Sequence, residues 1–132
     1  MKVVAVSGYF DPLHVGHLEY LELAAQLGDK LVVIVNNDNQ AQLKKGRSFM
    51  KENDRVTIVK ALRCVDEVFL SIDKDRSVCA SIKVIHPDIF AKGGDRTSDE
   101  IPETRVCKEL GIEIVDNLGA KIRSSSNFTG IK

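Results

Sequence analysis

Two histidines near the start of the chain, His14 and His17, are three residues apart and follow a glycine-containing turn. The β-branched run at residues 3–6 predicts a strand, and the apolar spacing after Val15 predicts a helix. At the first turn of a helix, unpaired backbone N–H groups and the positive end of the helix dipole favour an anion, and Gly16 lets it approach the backbone. We therefore predict that the two histidines donate hydrogen bonds to a phosphate.

The same two histidines allow two other interpretations, a solvent-exposed helix cap and a metal site. A zinc site needs further ligands beyond these two. His86 and the three cysteines show no ligand spacing relative to the histidine pair. We therefore rank metal ligation below phosphate binding and assign no metal ligands from the sequence.

Further polar segments each follow a predicted strand. Asp38 comes after the apolar run at residues 31–35, the segment 92–95 after the run near residue 89, and the segment 123–126 after the run near residue 112. In an open parallel sheet, ligands bind beyond the carboxyl ends of the strands. These segments are therefore predicted to converge with the histidines on one ligand.

Three basic residues are candidates for holding phosphate. Lys44 and Lys45 are predicted on a mobile polar loop, and Arg55 at the start of a helix capped by Asn53 or Asp54. Charged donors bind phosphate strongly, and a guanidinium does so as a fork. We predict that the lysines hold the acceptor phosphate or the triphosphate, that Arg55 clamps phosphate, and that the lysine loop closes over bound ligand.

The order of apolar segments predicts the fold. Short apolar runs near residues 3, 31, 68, 89 and 112 alternate with helix-patterned segments. Such alternation is typical of a parallel sheet covered by helices on both faces, although it does not reveal the strand order. The expected fold is α/β, Rossmann-like and three-layered, with a parallel sheet of about five strands. Since no glycine-rich dinucleotide fingerprint or Walker loop occurs, a dehydrogenase or an ordinary kinase is disfavoured.

Composition limits the class of protein. The 132 residues suit one domain, 1–132, and the 19 basic and 19 acidic residues leave no net charge, which disfavours broad electrostatic binding of nucleic acid. The three dispersed cysteines form no CxxC pair, as expected of reduced intracellular thiols. The apolar run at residues 31–35 is far too short to cross a bilayer. We therefore expect a cytoplasmic protein without a membrane partner.

The stretch at residues 14–17, His-Val-Gly-His, resembles the HxGH signature of the cytidylyltransferase-like nucleotidyltransferases. That family includes glycerol-phosphate and choline-phosphate cytidylyltransferases, heptose-phosphate adenylyltransferases and archaeal FAD synthases. The resemblance covers nearly the whole chain, because further matching segments follow in the family's order: Asn36-Asn37-Asp38, Lys44-Lys45-Gly46, the helix start near Arg55, the Lys-Gly-Gly-Asp loop at 92–95 and the Arg-Ser-Ser-Ser stretch at 123–126.

The resemblance implies a nucleotidyltransferase that transfers a nucleoside monophosphate from CTP or ATP to a phosphorylated sugar or alcohol and releases pyrophosphate. It also implies a homodimer. Mg²⁺ is expected to accompany the triphosphate, with weak help from Asp11. The expected catalytic residues are His14, His17, Lys44 and Lys45. Asp38 and Arg55 are expected to contact the acceptor.

The nucleotide is expected to lie against the loop after the first strand and the loops near the end of the chain. The expected nucleotide-binding residues are Gly8, Tyr9, Phe10, Asp11, Gly16, Lys92, Gly93, Gly94, Asp95, Arg123, Ser124, Ser125 and Ser126. Phe10 is equally consistent with a core aromatic. The serines could also form the N-cap of a short final helix, a role that is compatible with phosphate binding.

The base and the acceptor stay open. Glycerol-phosphate cytidylyltransferases have an arginine where this chain has Gly119, whereas the Lys-Gly-Gly-Asp loop resembles that of the heptose-phosphate adenylyltransferases. A non-catalytic nucleotide or phospho-metabolite sensor on the same fold is the alternative function. The intact pair of His14 and His17 favours the enzyme, because a protein that only binds needs no donors for a transition state.

Overall fold

The computed structural model describes residues 1–93 and 101–118. Along these residues strands and helices alternate as the sequence predicted, and the elements are β1 (Val3–Gly8), α1 (Val15–Ala25), β2 (Lys30–Val35), α2 (Asp38–Lys45), α3 (Glu52–Lys60), β3 (Glu67–Leu70), α4 (Cys79–Ile85), β4 (Ile89–Gly93), α5 (Ile101–Leu110) and β5 (Glu113–Leu118). None of the helices in these ranges is long and apolar enough to span a membrane.

The five strands form one sheet in the order β3-β2-β1-β4-β5, and all neighbouring pairs are parallel. The chain moves outward from β1 to β3 on one side and then crosses to β4 on the other. The strand order therefore reverses between β1 and β4, and such a switch point opens a crevice at the carboxyl ends of the strands. The predicted α/β Rossmann-like fold is confirmed, and β1 ends at this crevice.

The core has two parts, one on each face of the sheet. Side chains along a strand alternate between faces, so Val4 and Val6 pack on one side and Ala5 on the other. The first side is covered by α1 and α3, through residues such as Leu21 and Val59. The second side is covered by α4 and α5. The sheet and the two helix layers together fix the positions of the strand ends, and the polar loops follow these ends.

Helix α2 occupies the region where a mobile loop was predicted, so that prediction was wrong for Lys44 and Lys45. Asn37 caps the helix: its Oδ1 accepts from the N–H of Gln40 at 2.9 Å, and Gln40 Oε1 accepts from the N–H of Asn37 at 3.0 Å. This reciprocal capping box satisfies two backbone donors of the first turn. At the other end Gly46 adopts a left-handed φ of 85° and ends the helix.

The start of α3 also differs from the prediction. The helix begins at Glu52 with Lys51 as the N-cap residue, and no side chain caps it. Neither Asn53 nor Asp54 is the cap, since both lie inside the first turn. The acidic side chains of Glu52 and Asp54 instead suit the positive end of the helix dipole.

Replacing Gln40 by leucine is expected to destabilise the fold by about 3 kcal/mol. Gln40 is fully buried, its Nε2 donates to the carbonyls of Asp75 and Ser77 at 2.7 Å each, and its Oε1 accepts from Asn36 Nδ2 at 3.1 Å. Leucine would leave these three groups, and the N–H of Asn37 that also binds Oε1, without their partner. Urea unfolding gives the free energy of unfolding of each protein.

The control for this substitution is Gln42→Leu on the same helix, because Gln42 is exposed. It should change the free energy of unfolding by less than about 0.5 kcal/mol. Equal effects of the two substitutions would show that the hydrogen bonds of Gln40 contribute nothing measurable.

Candidate active site

The two histidines form the N-terminal cap of α1. His14 is the N-cap residue, and its Nδ1 accepts from the N–H of Gly16 at 3.1 Å. His17 Nδ1 in turn accepts from the N–H of His14 at 3.1 Å. Two imidazoles thus make the reciprocal capping box that serine and glutamate make in other helices. The rings stack with their centroids 3.8 Å apart.

This geometry assigns the tautomer of both rings. A neutral imidazole has one donor nitrogen and one acceptor nitrogen, and in each ring Nδ1 is the acceptor. The proton of the neutral form therefore lies on Nε2. Each histidine then has an N–H bond directed away from the helix cap. The pair can donate two parallel hydrogen bonds to one anionic ligand.

Burial and the neighbouring His14 lower the pKa of His17 from its ordinary value to about 4. The ring is packed edge-on against Phe10, with centroids 5.1 Å apart. Water is therefore partly excluded from one side of the imidazole, and the charged form is disfavoured. At neutral pH His17 is an uncharged donor and does not attract the phosphate by charge.

The lowered pKa of His17 predicts a pH-dependent stability. Below pH 6.5 the unfolded chain binds a proton at this site that the folded chain takes up only near pH 4, so stability falls as the pH is lowered through this window. The slope is at most about 1.4 kcal/mol per pH unit, reduced because the ring is partly exposed. His17→Gln keeps an acceptor for the cap and should lose this slope, as urea unfolding at several pH values would show. Identical slopes in both proteins would contradict the assignment.

Phe10 belongs to the core, although both interpretations of this aromatic were open. Its side chain is 2 % exposed and its φ is 53°, a left-handed conformation. A Cβ on Gly8 would meet the Phe10 ring at 2.8 Å, so glycine at this position allows the ring to turn back over the end of β1. Backbone contact between this loop and a nucleotide stays a prediction.

Tyr9 and Lys44 connect the end of β1 to helix α2. Lys44 Nζ lies 4.7 Å from the centre of the Tyr9 ring, a cation–π contact, and Tyr9 Oη donates to the carbonyl of Gln40 at 3.5 Å. Helix α2 thus places the ammonium of Lys44 beside the loop that leads to the histidines. The backbone of Lys45 ends the same helix, and its side chain is outside the described part of the structure.

Arg55 contacts the protein itself. The side chain is fully enclosed, with Nε donating to the carbonyl of Met50 at 3.0 Å and Nη1 donating to the carbonyls of Tyr9 and Asn36 at 2.9 and 2.6 Å. A buried guanidinium is stable only when its donors are satisfied in this way. The phosphate clamp predicted for Arg55 is therefore replaced by a structural role in this conformation.

Asp38 completes the surroundings of Arg55. Its Oδ1 accepts from Arg55 Nη2 at 2.7 Å, and its N–H donates to Glu52 Oε1 at 2.8 Å. Partial burial raises the pKa of the Asp38 carboxyl, but the hydrogen bond and charge of Arg55 outweigh it and keep the pKa below its usual value. Asp38 is a carboxylate at neutral pH. Its contact with an acceptor stays a prediction.

Lys92 is also directed into the protein. It is 4 % exposed, and its Nζ lies 3.2 Å from Thr104 Oγ1 and 3.4 Å from Asp116 Oδ1. The ammonium therefore links β4 to α5 and β5. Contact of Lys92 with a nucleotide stays a prediction. Gly93 ends β4. The remaining expected nucleotide-binding residues, Gly94, Asp95, Arg123, Ser124, Ser125 and Ser126, lie outside the described residues.

Sequence reasoning missed a buried amide network behind the site. Asn36, Asn37 and Gln40 hold the end of β2, the start of α2 and the loop at residues 71–77 together. The Asn-x-x-Gln spacing is a capping-box signal that was visible in the sequence. Within residues 1–93 and 101–118, no group of three or more histidine, cysteine or acidic residues is placed to hold a metal ion.

Neighbouring strands bring the candidate segments together. β1 pairs with β2 on one side and with β4 on the other, so the histidine loop lies between Asp38 and Gly93. The histidine pair thus lies at the switch point of a Rossmann-like sheet. The chain belongs to the cytidylyltransferase-like family, whose model matches residues 5–127.

Several curated proteins are similar to this chain. The bifunctional protein HldE of Desulfatibacillum aliphaticivorans is 37 % identical over 123 residues, which is 92 % of this chain and 23 % of that protein. The FAD synthase of Pyrococcus horikoshii is 37 % identical over 112 residues, which is 84 % of this chain and 75 % of that enzyme. The chain thus spans about a quarter of HldE and most of the FAD synthase.

Solved structures share the fold. A lipopolysaccharide core biosynthesis protein from Thermoplasma volcanium superposes with a TM-score of 0.78 and 33 % identity, covering 89 % of this chain and 96 % of that one. A protein of unknown function from Archaeoglobus fulgidus has a TM-score of 0.69 at 23 % identity, covering 88 % of each chain. The second likeness concerns the fold alone.

Proposed function

We propose that this chain transfers an adenylyl group from ATP to a phosphorylated small-molecule acceptor and releases pyrophosphate. The observation that carries the proposal is the pair of uncommitted Nε2 positions on His14 and His17, at the N-terminus of α1 and at the switch point of the sheet. Similarity to HldE proteins and to an FAD synthase supports ATP over CTP. Among acceptors, a heptose phosphate and flavin mononucleotide are the two that this similarity favours.

In the proposed reaction an oxygen of the acceptor phosphate attacks the α-phosphorus of ATP. The bond between the α-phosphorus and the bridging oxygen breaks, and pyrophosphate leaves. A phosphate monoester is already ionised near neutral pH, so the attack requires no strong base. The protein has to align the two substrates and stabilise the negative charge that develops on the phosphate oxygens.

His14 and His17 supply the donors for that charge. Each Nε2–H group is fixed by the hydrogen bond that Nδ1 of the same ring makes to the helix backbone. Donors that are held in place before the reaction cost no reorganisation when the charge forms. Because the pKa of His17 is lowered to about 4, its Nδ1 stays an acceptor for the N–H of His14 throughout the physiological range, and this bond keeps the Nε2–H donor in place.

The remaining groups position the substrates. Lys44 and Lys45 at the end of α2 are proposed to hold phosphate, with Asp38 at the acceptor. The backbone from Gly8 to Gly16, the strand end at Gly93 and the later segments at 94–95 and 123–126 are proposed to hold the nucleotide. Mg²⁺ bound to the triphosphate would supply charge neutralisation. We further propose a homodimer that works in the cytoplasm.

The experiment is to measure pyrophosphate release with ATP and with CTP separately, in Mg²⁺, against heptose phosphate, flavin mononucleotide, glycerol phosphate and choline phosphate. We expect release with ATP and one of the first two acceptors. Release with CTP alone would overturn the assignment of the base. No release with any acceptor, together with intact ATP binding by calorimetry, would instead favour a nucleotide sensor.

A further inference from the structure

One carboxylate ties the segment between α2 and α3 to the loop that carries the histidines. The segment is residues 46–51. Asp11 Oδ2 accepts from the N–H of Phe49 at 2.7 Å, and Asp11 Oδ1 accepts from the N–H of Met50 at 2.6 Å. Both bonds are short and have an ionised acceptor, so they are among the stronger hydrogen bonds in a protein. They join positions almost forty residues apart in the chain.

The same segment is held from its other side. Arg55 Nε donates to the carbonyl of Met50 at 3.0 Å, and Arg55 Nη1 donates to the carbonyl of Tyr9 at 2.9 Å. Both backbone groups of Met50 are therefore bound, one by the loop after β1 and one by the start of α3. A segment without regular secondary structure is thus fixed at a defined place beside the histidine loop.

Fixing this segment holds an exposed aromatic residue in place. Phe49 is 75 % exposed, although its own amide is bound to Asp11. Leu43, on the last turn of α2, is 56 % exposed, and Lys44 beside it contacts Tyr9. The segment thus sets where the exposed Phe49 stands next to the histidine loop.

We propose that Asp11 is a positioning residue for the transfer reaction. It acts by holding residues 46–51 against the histidine loop, so that the acceptor side of the site is formed before substrate binds. This inference rests on the proposed function. It assigns Asp11 to the protein backbone, in place of the direct contact with nucleotide or Mg²⁺ that the sequence suggested.

The first test needs no substrate. Trypsin cleavage after Arg47, followed by mass spectrometry, reports how often the segment opens. Asp11→Asn can accept only one of the two N–H bonds and has no charge, so we expect cleavage at Arg47 to be at least about tenfold faster than in the natural chain. An unchanged rate of cleavage would overturn the proposal.

The matched control is Asp29→Asn. In the natural chain Asp29 Oδ2 accepts from the N–H of Lys2 at 2.7 Å, at the opposite end of β1. This variant therefore also replaces a charged acceptor of a backbone N–H by a neutral one. Cleavage at Arg47 should stay within about twofold of the natural chain, since distant sites act independently. If Asp11→Asn fails to fold, amide exchange in the natural chain decides: Phe49 and Met50 should exchange at least about tenfold more slowly than exposed Arg47. Equal exchange would overturn the proposal.

The second test uses the transfer reaction with Mg²⁺-ATP and whichever of heptose phosphate or flavin mononucleotide reacts. Asp11→Asn should raise the KM for the acceptor at least about fivefold, with the Mg²⁺ concentration for half-maximal rate unchanged. A raised Mg²⁺ requirement with normal cleavage at Arg47 would identify Asp11 as a metal ligand. If the natural chain transfers no nucleotide, the proposed function fails, while the cleavage test still decides whether Asp11 holds the segment.

Discussion

Replacing His14 by asparagine and His17 by glutamine together is expected to lower kcat by about a thousandfold or more, with the Kd for ATP changed less than about tenfold. Both substitutions keep an acceptor for the helix cap, since asparagine at the N-cap and glutamine three residues later form the capping box that Asn37 and Gln40 already form on α2. What the variant loses is the two Nε2–H donors. A single donor of this kind typically contributes a factor of about a hundred to a thousand to kcat.

The measurement is single-turnover kinetics for the chemical step and calorimetry for ATP binding. Urea unfolding should give the variant about the same free energy of unfolding as the natural chain, because the cap is retained. A weakened ATP affinity with kcat unchanged would contradict a role in the transition state, since an interaction made equally with substrate and transition state leaves kcat unchanged.

The strand, the histidine turn and the first helix were predictable because their signals are local. The β-branched run of β1, the glycine turn and the spacing after Val15 all lie within about twenty residues and agree with one another. The strand order was not predictable. It depends on which apolar strands pair, and each strand presents similar β-branched side chains on both faces.

Helix α2 was missed because its sequence carries little hydrophobic periodicity. Among its described side chains Ala41 and Gln40 are fully buried, whereas Leu43 is exposed, so an apolar stripe does not mark the helix. Its signals are at its ends, the Asn-x-x-Gln capping box before it and Gly46 after it. These two capping signals predict a helix between residues 38 and 45, and they place Lys44 on that helix and not on a loop.

The orientations of Arg55 and Lys92 were not predictable from the sequence. Arg55 was predicted to clamp phosphate because it lies at a helix start, and Lys92 was predicted to bind the nucleotide because it belongs to the Lys-Gly-Gly-Asp loop. The acceptors that bury Arg55 come from three separate places, the end of β1, the end of β2 and the segment at residues 46–51. Nothing in the local sequence around Arg55 indicates that these carbonyls meet there.

Replacing Arg55 by methionine is expected to destabilise the fold by about 3 kcal/mol or more. Methionine fills much of the same space but donates no hydrogen bond, so three backbone carbonyls lose a charged donor in the interior. Asp38 loses its ion pair as well, although its side chain is 34 % exposed and water can replace part of that contact. Urea unfolding of the variant and the natural chain measures the difference.

Two further variants show whether the loss of stability comes from the hydrogen bonds of Arg55 or from its charge alone. Arg105→Met on α5 removes an exposed arginine and should change the free energy of unfolding by less than about 0.5 kcal/mol. Arg55→Lys keeps the charge, but one ammonium cannot reach carbonyls on three sides, so it should still cost about 2 kcal/mol. Full stability of the lysine variant would show that charge alone suffices at this position. The geometry argues otherwise, because Tyr9, Asn36 and Met50 are held together by the planar fork of the guanidinium.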